Sequence, residues 1–166
     1  MKKILKPIAI VLLIVFIIIQ FFHPKKNIAV SGAVSANDIT NVYAVPQQVR
    51  EILEISCNDC HSNNTKYPWY SNVQPVAWWL DDHVKEGKRE LNFSEFASLV
   101  TWRKFKKIEE IIEQVKEDEM PLFSYTIIHG NAKLSKEQKD QLTSWATAIR
   151  DTMKATYPPD SLRKKK

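Results

Sequence analysis

The longest hydrophobic stretch of the chain lies near its N-terminus. Residues Ile8 to Phe22 are apolar at every position except Gln20, and lysines flank the stretch on both sides. A helix that spans a bilayer needs about 20 such residues, with a range of about 17–25. The pattern predicts a transmembrane helix that anchors residues 1–23 in the membrane. The alternative is a cleaved signal peptide that ends near the small residues 33–36.

Five apolar patterns of helical spacing follow an aperiodic stretch, residues 24–44, which we interpret as a linker. Apolar residues three and four positions apart share one face of a helix. We therefore predict an all-α domain over residues 45–157, followed by a basic tail over residues 158–166. The apolar stripes are Val49, Ile52, Leu53; Val76, Trp79, Leu80, His83, Val84; Phe96, Leu99, Val100; Ile108, Ile111, Ile112, Val115; and Leu142, Trp145, Ala146, Ile149, Met153.

Residues that are common at helix ends flank several of these patterns. A proline can open a helix, a glycine can end one, and a Ser or Asn three positions before Glu or Gln predicts a capping box. The longest connections, residues 61–74 and 118–134, are of the kind that often carries function. The predicted boundary residues are Pro46 and Ser135 at helix starts, Asn92 with Glu95 as a capping box, and Gly87 and Pro158 at helix ends.

The net charge of +5 is distributed unevenly along the chain. Nine of the 24 basic residues lie in the two ends, which leaves 15 basic and all 19 acidic residues, or a net charge of −4, between Asp38 and Leu162. A nucleic-acid-binding domain concentrates basic charge in its folded part. The charge pattern therefore excludes nucleic acid as the partner.

The only two cysteines belong to one short motif. Cys57, Cys60 and His61 form the sequence C-x-x-C-H, the spacing of c-type haem attachment. Each thiol would bind one vinyl group of the porphyrin, and His61 would be an axial ligand of the iron. The alternatives are a thioredoxin-like pair, which needs a βαβ context, a zinc site, which needs about four ligands, and a disulfide beside an incidental histidine.

The motif and two later runs resemble a known family. Residues 57–70, Met120-Pro121-Leu122 and residues 134–138 resemble the small haem-binding domain family of bacterial envelope proteins. The order of a helix, the motif, a later Met-Pro and a capped final helix also resembles class I cytochromes c. The resemblance implies one covalent haem c in a cytochrome c-like helical domain. In such families haem is attached outside the cytoplasm, so the resemblance also implies that the domain faces the periplasm. Together with the predicted transmembrane helix, this predicts a single-pass inner-membrane protein.

Four possibilities exist for the sixth ligand of the iron. Met120 precedes Pro121 in a long loop, and the resemblance favours its thioether. His129 lies in the same loop, and His83 lies on an apolar stripe, where a histidine is more often a core residue. The fourth possibility is an open sixth position.

Aromatic residues cluster directly after the motif. We expect Tyr67, Trp69 and Tyr70 to form part of a haem-binding wall, although ordinary core packing explains such residues equally well. The imidazole of His61 should donate its second N–H to a carbonyl, for which Pro68 and Pro75 are candidates.

These features favour an electron carrier over an enzyme. The alternatives are a peroxidase-like haem enzyme or a gas or redox sensor with an open sixth position, and a subunit whose haem is structural. An acidic run precedes Met120 and would attract a basic redox partner, unless it is only the solvated face of a helix. The run consists of Glu109, Glu110, Glu113, Glu117, Asp118 and Glu119.

Overall fold

The computed structural model describes residues 2–29 and 34–164, and every regular element within them is helical. This confirms the all-α part of the predicted fold class. The α-helices are α1 (Lys2–Ile19), α2 (Gln47–Ser56), α3 (Asn58–His61), α4 (Val76–Glu90), α5 (Thr101–Lys116), α6 (Phe123–Thr126) and α7 (Lys136–Thr156). Short 3-10 helices cover Ile39–Asn41, Trp69–Asn72, Phe93–Ser98, Gly130–Ala132 and Pro159–Leu162.

The structure contradicts the predicted membrane anchor. Helix α1 begins with Lys2, Lys3 and Lys6, contains Pro7 and ends at Ile19. Its apolar part is therefore about 12 residues, or roughly 18 Å, whereas the hydrocarbon core of a bilayer is about 30 Å thick. No helix among residues 2–29 and 34–164 is long and apolar enough to cross a membrane. The predicted spanning helix, and the inner-membrane location inferred from it, are wrong.

The hydrophobic core forms where α2, α5 and α7 pack together, and it uses the stripes predicted for these three helices. The stripe predicted for α4 lies outside this core, and Trp79 and Val100 are exposed. Every apolar residue predicted for the faces of α5 and α7 is buried. Burial of one large apolar side chain contributes about 1.5–3 kcal/mol, so these faces supply much of the stability. The predicted capping box of α7 is also present, since Ser135 Oγ accepts from Gln138 N at 3.2 Å and Gln138 Oε1 accepts from Ser135 N at 2.8 Å.

One predicted helix end is wrong, and one predicted capping box does not close, although Asn92 Oδ1 caps the segment after it by accepting from Ser94 N at 3.0 Å. Helix α4 does not end at Gly87 but continues to Glu90. The segment after Asn92 forms a 3-10 helix, and the Glu95 carboxylate accepts hydrogen bonds from Asn37 and Asn63 instead of closing a capping box. In both places a contact with a distant segment decides the local structure.

The start of the predicted linker lies against the loop that precedes α4. The fully buried Gln74 donates from Nε2 to Phe22 O at 2.6 Å, and Asn27 Nδ2 donates to Ser62 O at 2.9 Å. Residues 30–33 of the linker, which include the first of the small residues 33–36, lie outside the described residues. The same holds for residues 165–166 of the predicted basic tail.

Candidate functional site

Cys57 adopts a non-helical backbone conformation that separates α2 from the four-residue helix α3. Cys57 has φ −128° and ψ −45°, and its carbonyl oxygen accepts from Cys60 N at 3.2 Å and from His61 N at 2.9 Å. We call residues 57–61 the attachment turn. Its hydrogen bonds place Cys57, Cys60 and His61 around one cavity, which all three line.

Helix α4 packs directly on the attachment turn, and Gly87 makes this close approach possible. A Cβ atom at Gly87 would lie 2.7 Å from the carbonyl oxygen of Cys60 and 2.9 Å from its Cβ. Contacts below 3.0 Å force a shift, and a backbone oxygen cannot rotate away as a flexible side chain can. The position therefore requires glycine for packing, and this explains why Gly87 lies inside a helix.

The same packing fixes the orientation of the His61 ring. Its Nδ1 lies 2.9 Å from the carbonyl oxygens of both Gly87 and Leu91. Because carbonyl oxygens only accept, Nδ1 carries the hydrogen and Nε2 keeps a free lone pair. Burial lowers the pKa of His61, which also favours the neutral ring that binds metals. The carbonyl partners are thus not those of Pro68 or Pro75.

The two thiols are free and electrostatically unactivated. Burial raises the pKa of Cys57 to about 12 and that of Cys60 to about 11. A thioredoxin-like pair needs a lowered pKa at the attacking cysteine, so these thiols do not fit one. Among the described residues no group of three or more His, Cys, Asp or Glu side chains forms a metal-binding cluster, which also disfavours zinc.

The attachment turn opens into a cavity of about 850 Å³. Cofactor sites usually measure about 300–1,000 Å³, so this volume suits a large planar group. The cavity has an apolar lining from several helices and a thioether from the loop after α5. The lining residues that bear on haem binding are Cys57, Cys60, His61, Met120 and Pro121, together with the apolar Leu53, Phe93, Ile111, Val115 and Leu142.

The end of α5 holds Met120 at this cavity. Asp118 has φ +62°, in the left-handed region that Asp tolerates better than most residues. The chain then turns back, and Glu119 N and Met120 N donate to Gln114 O at 3.0 and 3.1 Å. Gln114 itself lines the cavity, so Met120 is tied to the cavity wall through its backbone.

The structure separates the two alternative histidine ligands. His83 lines the large cavity, but its Nδ1 lies 2.8 Å from Trp79 O and its ring packs on Trp79 with centroids 4.2 Å apart. His129 lines a second cavity of about 40 Å³, and its Nε2 lies 2.6 Å from the Tyr70 hydroxyl oxygen. Of the three candidate sixth ligands, Met120 and His83 therefore line the same cavity as His61, and His129 does not.

The aromatic residues expected to form the haem-binding wall do not line the large cavity. Tyr67 and Tyr70 line the second cavity, and Trp69 is 79% exposed. Their expected contact with haem stays a prediction. Phe93, which sequence reasoning missed, lies edge-on to His61 with ring centroids 6.3 Å apart.

Carboxylates dominate the charged residues of the cavity. Five of them come from the facing parts of α4 and α5, and we call this group the acidic rim: Asp82, Glu86, Glu90, Glu110 and Glu113. Lys107 is the only lysine or arginine among the described lining residues, and it pairs with Glu110 at 2.6 Å and with Glu90 at 3.5 Å. The sequence predicted the α5 members but not those of α4.

Comparisons with known proteins agree with a haem site. Neither the curated proteins nor the solved structures contain a match to the chain. A family model described as a haem-binding domain, however, matches residues 14–148. The match includes the attachment turn, Met120 and all or part of every helix that lines the large cavity. The chain therefore belongs to the haem-binding domain family.

Proposed function

We propose that this haem-binding protein carries one haem c, bound covalently to Cys57 and Cys60, and that it transfers electrons. The proposal rests on the orientation and the tautomer of the His61 ring. Its Nδ1–H is donated to two carbonyls, and its Nε2 is left free beside a cavity that both cysteines line. A metal-binding histidine is usually oriented by this kind of second hydrogen bond.

The attachment chemistry needs no other group of the protein. Cys57 and Cys60 would hold the porphyrin: each S–H bond would add across one vinyl double bond, forming one carbon–sulfur bond and leaving the hydrogen on the other vinyl carbon. Nothing leaves and no oxidant is consumed. Two free thiols three residues apart, with a histidine directly after them, supply what this addition and axial ligation require.

Met120 is the proposed sixth ligand. It shares the cavity with His61, and its backbone is tied to Gln114 at the end of α5. A His/Met pair raises the reduction potential of haem iron, and its closed coordination suits electron transfer without bond-making. The chain's part is to position both ligands and to exclude water from the iron.

A haem enzyme or sensor with an open sixth position is the second candidate. The observation that favours it is that His83 lines the same cavity and could serve as a distal acid or base. That role would require His83 to give up its packing on Trp79 or to act through Nε2 alone.

The proposed partner is a basic redox protein. The acidic rim brings carboxylates of two helices to the cavity that would hold the haem, and most of them are exposed. Such a surface raises the association rate of a positively charged partner, and salt weakens the effect. Lys107 neutralises only part of this charge.

Redox cycling and ligand binding distinguish the two candidates. An electron carrier should be reduced and reoxidised reversibly by one electron, and its ferrous form should leave added carbon monoxide unbound. His83→Ala should change neither property. Rapid binding of carbon monoxide by the wild type, or peroxide turnover that His83→Ala abolishes, would favour the haem enzyme instead.

A further inference from the structure

The loop that carries Met120 contains no fully buried residue. No residue from Lys116 to Asn131 is buried, and we call residues 117–131 the Met120 loop. Three of its apolar side chains are largely exposed: Phe123 at 78%, Ile127 at 65% and Ile128 at 55%. Segments with few buried apolar contacts open locally at low free-energy cost. Hydrophobic packing therefore does not explain how this loop keeps its position.

One tyrosine links the Met120 loop to the attachment turn. Tyr125 donates its hydroxyl hydrogen to Asp59 Oδ2, with an O–O distance of 2.7 Å, and the Ile55 carbonyl oxygen lies 3.4 Å from the same hydroxyl. Asp59 stands between Cys57 and Cys60. The hydrogen bond therefore joins the loop of the proposed sixth ligand to the segment that would hold the haem.

Both partners of this hydrogen bond are fixed by further contacts. Asp59 Oδ1 accepts from Lys66 N at 2.9 Å, and its carbonyl oxygen accepts from Thr65 Oγ1 at 2.6 Å. The ring of Tyr125 stacks on His129 with centroids 4.3 Å apart and an interplanar angle of 13°. His129 in turn contacts the Tyr70 hydroxyl. Tyr125 thus has a preformed acceptor and a supported ring.

The hydroxyl of Tyr125 stays protonated over the ordinary pH range. Burial and the hydrogen bond to Asp59 raise its pKa well above the usual value for tyrosine. It therefore remains a donor to Asp59. A hydrogen bond to a charged acceptor changes a local equilibrium by about ten- to a hundred-fold.

We infer that Tyr125 is a positioning residue that keeps Met120 on the haem iron by tying the Met120 loop to Asp59. The inference rests on the proposed ligation of the iron by Met120. In the absence of this hydrogen bond the loop would open more often, because no residue of the loop is fully buried and three of its large apolar side chains are mostly exposed. An added ligand would then replace Met120 more easily.

The test is a titration of the ferric holoprotein with imidazole. Tyr125→Phe removes the hydroxyl but keeps a ring that can stack on His129. We expect imidazole to bind about tenfold more tightly than to the wild type, with far-ultraviolet circular dichroism unchanged. The matched control is Tyr43→Phe, which removes the hydroxyl of a partly buried tyrosine that packs on Phe96 and lines neither cavity. It should bind imidazole like the wild type.

A Met120→Ala background separates failure of this inference from failure of the proposed ligation. Met120→Ala should bind imidazole most tightly, and adding Tyr125→Phe should then have no effect. If Met120→Ala binds imidazole like the wild type, the proposed ligation is wrong. If Met120→Ala strengthens binding while Tyr125→Phe leaves it unchanged, the ligation stands and the role of Tyr125 is refuted. An equal effect of Tyr125→Phe in both backgrounds would also refute it.

Discussion

The attachment turn and the Met120 loop line the same cavity but are held in place by different forces. Helix α4 is packed so closely on the attachment turn that a single added methyl group at Gly87 would meet the Cys60 backbone. In the Met120 loop no residue is fully buried, and Gly130, near its end, has no atom within 4 Å of the position of a Cβ. One side of the site is fixed by packing and the other by a few hydrogen bonds.

This difference suits the proposed roles of the two regions. In the proposed function the histidine side would hold a covalent haem and its permanent axial ligand, so its geometry has to stay unchanged. The methionine side has to hold a weaker bond, and hydrogen bonds to Asp59 and Gln114 are sufficient for that. Substitutions should accordingly have severe effects on stability and haem binding at the attachment turn, moderate effects at the Met120 loop and small effects at the surrounding surface.

The largest effect is expected for Gly87→Ala. The new Cβ would displace α4 from the attachment turn and move the two carbonyls that orient His61. Overpacking of this kind costs about 1–3 kcal/mol, which exceeds the gain of up to about 1 kcal/mol from alanine in a helix. We predict lower thermal stability of the apoprotein and a severalfold loss of haem incorporation, measured by unfolding and by the haem-to-protein absorbance ratio.

Gly130→Ala is the control for this substitution. It introduces the same methyl group where nothing lies within 4 Å, so stability and haem incorporation should equal those of the wild type. If the two variants behave alike, tight packing of α4 does not hold the attachment turn.

A moderate effect is expected for Met120→Ala. Loss of the thioether should lower the reduction potential by on the order of 100 mV, because the axial ligand is a main determinant of haem potential. The covalent haem should remain, since the attachment turn is untouched. Spectroelectrochemical titration measures the shift, and Met153→Leu, in the core of α7, is the control. An unchanged potential would assign the sixth position to another group.

The smallest effect is expected at the acidic rim. Reversal of Glu86 and Glu113 to lysine should slow reduction by a basic redox protein several-fold at low ionic strength and little at high salt. Glu137, exposed in the first turn of α7 and outside the cavity lining, is the control position for reversal. The haem spectrum should stay the same in both variants. Equal rates at low salt would show that the rim does not guide the partner.

Sequence patterns predicted those helices whose apolar residues recur at regular helical spacing and are buried on one face. The stripes of α5 and α7 were read correctly because 3.6-residue periodicity directly reflects a buried face. Gly87 was misinterpreted because a glycine after an apolar stripe looks the same whether it ends a helix or admits a neighbouring segment. The apolar run at the N-terminus was misinterpreted because the run continues to Phe22 in the sequence, whereas α1 ends at Ile19 and leaves only a short apolar part after Lys6 and Pro7.

The candidate site was predictable only where its residues are close in sequence. The spacing of Cys57, Cys60 and His61 points to haem without any tertiary information. The partners of His61 and Tyr125, however, lie 26 to 66 residues away and follow from packing of α4 and of the Met120 loop. No local pattern encodes those contacts, which is why Leu91, Phe93 and Tyr125 were missed.

The mass of the intact, denatured protein tests the central claim most directly. After expression with a haem-attachment system, the wild type should carry the added mass of one haem and stain for haem on a denaturing gel. Cys57→Ala with Cys60→Ala should lose the added mass, and the same protein purified without denaturation should still bind haem through His61. A wild-type protein with the mass of the bare polypeptide would contradict the proposed covalent haem.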